Sequence, residues 1–157
     1  MTDNAVCRAG SMHRIDWDDF ESVAHDAGCA LPIEQAEVWE AFDARAPGRA
    51  PWGRLIFRGA DGHPLALLSF SRMRVRGFTY LWAKHGPVWL DGEPSAAQER
   101  ELRRLLVAGL RRHAPDVVFV RLHATHPAED LRPHGAPRPR RSRRRGTARL
   151  LPPARAP

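Results

Sequence analysis

The chain has 157 residues, with 25 Lys and Arg against 18 Asp and Glu and a formal charge of +7, which is length enough for one domain with a real core. Its two cysteines, Cys7 and Cys29, form neither a Cys-x-x-Cys site nor a disulfide framework; this excludes a small stapled scaffold and makes a reducing compartment the expectation. No apolar run reaches the roughly 20 residues that span a bilayer, and the first residues lack the basic-then-apolar order of a signal peptide, so a cytoplasmic protein is expected.

Residues 1–15 show no hydrophobic period and are expected to be loose. Asp16 to Ala27 reads as a helix: Trp17, Phe20, Val23 and Ala27 share a face, Asp16 can cap the start and Gly28 can close the end. A second helix is expected from about Pro32 to Ala44, with Pro32 in its first turn, Glu34 near the positive end of the dipole and Val38, Trp39 and Phe42 as its apolar stripe. Arg45 to Pro51 reads as a loop. A hairpin follows, Arg54 to Arg58 and Pro64 to Arg72 around Gly59-Ala60-Asp61-Gly62, and the run Leu65 to Leu68, apolar on both faces, predicts a central strand. Arg74 to Gly77 reads as a tight turn and Phe78 to Ala83 as a third strand. Beyond Gly92-Glu93-Pro94, Ser95 and Gln98 form a capping box for a helix reaching His113. Its apolar face carries Leu102, Leu105, Leu106, Gly109 and Leu110, and its other face Arg100, Arg103, Arg104, Arg111 and Arg112, the ordinary pattern of a solvated helix surface. Val117 to Leu122 is a continuous apolar run, expected as a buried strand beside a crossover helix.

From Arg132 onward the character changes. Of the last 26 residues 21 are Arg, Pro, Ala or Gly, nine of them Arg, with no acid and no hydrophobic period. Without this stretch the chain has 16 basic and 18 acidic residues, a net of −2, so the basicity belongs to the tail. Residues 132–157 are expected to be disordered. Two origins stay open: a basic arm that neutralises nucleic-acid phosphates, or a GC-rich coding strand read out of frame after a truncated domain.

The chain is organised around Tyr80-Leu81-Trp82-Ala83-Lys84-His85-Gly86-Pro87-Val88-Trp89. Its apolar ends suit buried strand, and its middle suits a rigid corner in which Gly86 permits an unusual φ or a close approach and Pro87 fixes φ. Lys84 is the one lysine beside 24 arginines, which hints that a compact point charge is wanted there; a solvated lysine at a strand end is the plain alternative. Arg121 ends the last strand, where it either pairs with an acid or faces a ligand crevice. Arg143-Arg144-Arg145-Gly146-Thr147-Ala148 fits the R-x-x-G-x-A form of a coenzyme-pyrophosphate loop, but no strand precedes it, so the match reads as chance and acetyl-CoA chemistry is disfavoured. His123, His126, Glu129 and Asp130 sit in a loop that preorganises ligands poorly, so no metal site is expected. Spacing assigns no catalytic triad, and no catalytic residue is named.

The element order resembles the acyltransferase fold of the GNAT class. The expected class is thus α/β (α+β), a GNAT-like three-layer domain over residues 16–131 with a mixed, mostly antiparallel central sheet flanked by helices. Three stretches carry a narrower resemblance. Leu31-Pro32-Ile33-Glu34-Gln35-Ala36-Glu37-Val38-Trp39 resembles the x-x-Q-s-x-x-W helix start of the Fem family of peptidoglycan-bridge aminoacyltransferases. Tyr80 to Val88 is similar to that family's Y-x-x-x-G-P-v strand and corner, and Val118-Phe119-Val120-Arg121-Leu122-His123 to its arginine-ended strand. The match runs over Leu31 to Leu131. Where the family has Ser after Gln this chain has Ala36, and where some members carry a Lys after the motif Trp it has Ala41 and Phe42.

The resemblance implies the first of two GNAT-like domains of an enzyme that moves an amino acid from aminoacyl-tRNA, its co-substrate, onto the stem peptide of lipid II or a UDP-linked muropeptide. It implies no other cofactor. It also implies a cytoplasmic location with peripheral contact at the inner face of the membrane, and a fragment inactive by itself. Lys84, His85, Arg121 and Trp39 are the substrate-binding candidates it suggests, with Gly86 and Pro87 as the structural turn. Two alternatives stand beside it: an RNA-binding module using the basic arm, and an N-acyltransferase using acyl-CoA.

Overall fold

The computed structural model describes residues 10–127. Ala66 to Phe70 are buried without interruption, as a strand must be when both faces and both edges are covered. They belong to β3 (Pro64–Val75), the middle of a six-stranded sheet ordered β1-β2-β3-β4-β6, with β5 also on β3. The other strands are β1 (Ser11–Ile15), β2 (Arg49–Arg58), β4 (Phe78–Trp82), β5 (Val88–Trp89) and β6 (Val117–Arg121). All pairings are antiparallel except β4 with β6. The helices are α1 (Trp17–Asp26), α2 (Glu37–Asp43) and α3 (Ala96–His113), and none is long and apolar enough to cross a membrane.

Three layers result, because alternate residues of each strand face opposite sides. Leu55, Phe57, Leu68, Phe70 and Leu81 pack against Leu102, Leu106 and Leu110 of α3. Ile56, Leu67 and Val88 pack on the other side against Phe20 and Ala24 of α1. The expected mixed, mostly antiparallel sheet between helices is therefore found. So are the expected helix ends: Asp16 accepts the Asp19 amide at the start of α1, Gly28 stands at φ +63 beyond its end, and Ser95 and Gln98 bond reciprocally at the start of α3. The β3–β4 turn holds both central residues, Arg76 and Gly77, at positive φ (50° and 85°), the form whose twist matches a hairpin.

Four expectations need correction. Ser11–Ile15 is not loose: it is strand β1, paired with Arg54–Arg58, and it shows no alternation because its two apolar residues pack on opposite faces, Met12 with the α3 side and Ile15 with the α1 side. The second helix is broken. Ile33–Gln35 forms a 3₁₀ turn, Ala36 is extended (φ −96°, ψ 161°), and α2 starts only at Glu37. Nor does its expected stripe form a core; Val38 and Phe42 are exposed. Strand β2 begins at Arg49, inside the stretch read as loop, bending past Pro51 with a shift in register. Finally, β6 is not a buried strand. It is a sheet edge with Val118 and Phe119 more than half exposed, and only Val117 and Val120 reach the core. An apolar run alone does not tell a central strand from an edge strand whose outward aromatic stacks on its neighbour, as Phe119 does on Tyr80 (4.6 Å, 11°).

Candidate functional site

The site begins with an interruption in the sheet. On one side of β3, Ser71 pairs with Trp82 of β4, and Leu67 pairs with Val88 of β5. Between them Ser69, paired with Arg54 of β2 on its other side, has no strand partner here, because residues 83–87 form no strand. Gln35, fully buried, fills the gap: its Nε2 donates to the Ser69 carbonyl (3.1 Å) and its Oε1 accepts the Ser69 amide (2.7 Å). A side-chain amide thereby replaces the missing rung of the ladder, as backbone accounting requires. The same Nε2 donates to the Lys84 carbonyl (2.7 Å) and so holds the corner. Gly86 lies against this amide, and a Cβ there would stand 3.1 Å from both of its polar atoms. The close approach expected of Gly86 is thus real. The Gly86–Pro87 peptide is cis, and His85 sits at φ +55°.

Fixed in this way, the corner aims Lys84 at the 3₁₀ turn. Its Nζ lies 2.9 Å from Glu34 Oε1 and 4.5 Å from the centre of the Trp39 ring, with Trp82 at 5.9 Å on its other side. His85 Nε2 is 3.5 Å from the same Glu34 oxygen, and the His85 side chain is more than half exposed. The hydrogen bond from Lys84, then the glutamate's own backbone N–H, hold the Glu34 carboxyl below the usual carboxylate range. Arg121 is exposed at the end of β6 with its guanidinium 4.8 Å from the Trp82 ring, and no acid pairs with it among the described residues. Trp39, Lys84, Trp82 and Arg121 therefore alternate as aromatic, cation, aromatic, cation. The chain beyond β6 is tied to the corner, since the His123 amide donates to the Gly86 carbonyl (2.8 Å) and the Ala83 amide to that of Arg121 (3.1 Å).

Beneath this row lies a cavity of about 250 Å³ lined by Trp39, Phe42, Asp43, Arg49, Ser71, Met73, Trp82 and Lys84. Asp43 is buried; its carboxylate accepts the Ser71 hydroxyl and meets Arg49 at 3.3 Å. Of the four substrate-binding candidates read from the sequence, Trp39 and Lys84 form part of the cavity wall, while His85, beside Glu34, and Arg121, over the Trp82 ring, are outside that lining. Trp39 is a partly buried wall and belongs to neither core cluster.

No family model matches the chain, and no curated protein matches it. One similar solved structure is FemX. The identity is 14%, the TM-score 0.48, and the match covers 68% of this chain and 25% of that one, so the chain spans a quarter of the length of FemX. TTHA1254 from Thermus thermophilus is similar at 15% identity and a TM-score of 0.45, with 77% and 81% of the two chains covered. A GNAT family acetyltransferase from Staphylococcus aureus follows at 10% and 0.42, with 75% and 88% covered. These are distant likenesses of outline and say nothing of activity.

Other members of the site escaped the sequence reading. Arg49 fell in a presumed loop, Asp43 was one acid on a presumed helix face, and Trp82 was one apolar residue among several. The register of β3 against β2 and β4 brings Arg49 and Trp82 together, and the contacts of Asp43 with Ser71 and Arg49 add α2 to them. The histidines resolve differently. His126 donates its backbone N–H to Glu99 Oε2 (3.1 Å) and sets its Nδ1 3.0 Å from the same oxygen; Glu99 is buried and also accepts the Thr125 amide (3.2 Å). Glu99 thus fastens the loop after β6 to the first turn of α3. No metal-holding group occurs among the described residues; Glu129, Asp130 and the Arg143–Ala148 stretch lie outside them.

Proposed function

We propose that the chain is the precursor-binding domain of a tRNA-dependent aminoacyltransferase of the Fem kind, acting in peptidoglycan bridge synthesis. The observation that supports this most is the meeting of the three stretches that carry the resemblance. Gln35 bonds the corner at Lys84, Lys84 stands over Trp39, and Arg121 stands over Trp82 beside them. In such an enzyme an amine of the stem peptide attacks the ester of the aminoacyl-tRNA. A C–N bond forms, the ester C–O bond breaks, the tRNA hydroxyl leaves, and the amine loses a proton. The role assigned to this domain is positioning. Lys84, His85 and Arg121 hold the anionic groups of the precursor, and Trp39 and Trp82 give its uncharged parts a flat wall.

Binding measures this directly. The chain should bind a UDP-linked muropeptide saturably, with an affinity that falls as salt rises and falls at least tenfold on Lys84→Met. Saturable binding of acetyl-CoA with none of the muropeptide would replace the proposal with a coenzyme-dependent acyltransferase. Salt-sensitive RNA affinity lost on deleting residues 132–157, again without muropeptide binding, would replace it with the RNA-binding module.

A further inference from the structure

Hydrogen-bond accounting in the cavity has an uneven result. Both oxygens of Asp43 are occupied, one by Ser71 and one by Arg49. Arg49 spends one of five guanidinium donors on that contact, and Lys84 spends one of three ammonium donors on Glu34. Both cations remain about a third exposed, at 33% and 31%. The lining therefore offers an excess of donors: Arg49 pairs with Asp43, the one carboxylate of the lining, and Lys84 with Glu34 beside it, and most of the N–H groups of both cations remain unspent. Trp39, Phe42 and Trp82 supply apolar walls around them.

From this we infer that the cavity is an oxyanion site, taking the phosphate or carboxylate end of a ligand whose stem lies on the aromatic walls, with Arg49 as its second cation. An ammonium-ended ligand would meet two like charges and a carboxylate already engaged at both oxygens; a neutral apolar one would leave the donors unmet. Lys84 gives a point charge at the mouth. Arg49 gives a planar fork that can hold two oxygens while Asp43 and the Phe42 ring, 5.9 Å away, keep it oriented. The inference rests on the aminoacyltransferase reading only for what the whole ligand is; the site's chemistry follows from its lining.

Phenyl phosphate, benzoate and benzamide separate the alternatives. The five tryptophan indole N–H signals of the full chain are followed by NMR as each compound is added. Phenyl phosphate, benzoate or both should shift the Trp39 and Trp82 signals saturably while Trp17, Trp52 and Trp89 stay still, and benzamide should move none. The stronger of the two acids tells phosphate from carboxylate. Arg49→Gln and Lys84→Met should each weaken binding at least tenfold, Arg49→Lys should weaken it less, and Arg58→Gln should leave it unchanged. If Arg49→Gln fails to fold, Arg49→Lys and Lys84→Met decide. Equal shifts with benzamide, shifts at all five indoles, or affinity indifferent to both cations would overturn the inference. The two proposals fail separately. Fragment binding without muropeptide binding counts against the aminoacyltransferase reading alone, and muropeptide binding without fragment binding counts against this site alone.

Discussion

Replacing Gln35 by Leu tests whether its amide truly completes the sheet. The change keeps the side chain's bulk and removes three hydrogen bonds: 3.1 and 2.7 Å from Nε2 and 2.7 Å to Oε1. Ser69 is left with a buried N–H and a buried C=O, and Lys84 with a partly buried C=O. Each unmet group costs about 1–3 kcal/mol. Burying leucine in place of an amide returns about 2 kcal/mol. The net expected loss is about 1–7 kcal/mol, a large part of the roughly 5–15 kcal/mol that holds a domain of this size. At about 3 °C per kcal/mol, thermal unfolding followed by circular dichroism should drop by about 3–21 °C. Hydrogen exchange gives a local check, because the Ser69 amide should be strongly protected in the wild type and lose that protection in the variant. A variant within 1 kcal/mol of wild type, with Ser69 still slow to exchange, would mean that β3 finds another partner and that the amide is not a rung of the ladder.

Glu34→Gln should show a pH-dependent deficit. The folded Glu34 carboxyl titrates below its ordinary 4.5, so its contribution is complete above that value and vanishes as pH falls through the depressed one. The wild type should be the more stable at pH 7 and the difference should close below pH 4.5; a gap unchanged down to pH 3 would refute the pairing. Ser95→Ala removes one half of the capping box on α3 and should cost about 1 kcal/mol in urea unfolding. Gly77→Val forces a β-branched residue to φ +85° and should cost about 1–2 kcal/mol by the same measurement, where the exposed Val107→Ala should cost little.

What the sequence disclosed depended on whether the deciding interaction was local. The ends of α1 and α3 were legible because a cap is settled within three residues. The centrality of β3 was legible because a strand covered on both sides must be apolar throughout. The 3₁₀ break at Ala36 was not, since nothing within the Pro32–Ala44 stretch requires it; the requirement comes from Ser69, 34 residues after Gln35, which needs an amide to complete its ladder. The candidate site divides along the same line. Lys84, His85 and the Gly86–Pro87 bend stood out as an unusual local cluster, and the family resemblance drew in Trp39 and Arg121. Arg49 and Asp43 enter through sheet register and a partly buried ion pair, neither of which leaves a mark on neighbouring residues. The expectation that β6 is buried failed for a related reason: composition reports how apolar a strand is, and strand order decides what lies beside it.

Lys84 is the only lysine in the chain, and the corner sets its ammonium on the cavity wall. Amine-directed reagents therefore have a single side-chain address on the molecule. Slow acylation of that amine reports the state of the cavity with no engineered label, since a bound ligand shields it. Mass spectrometry of one modified peptide can then follow occupancy in mixtures too complex for spectroscopy.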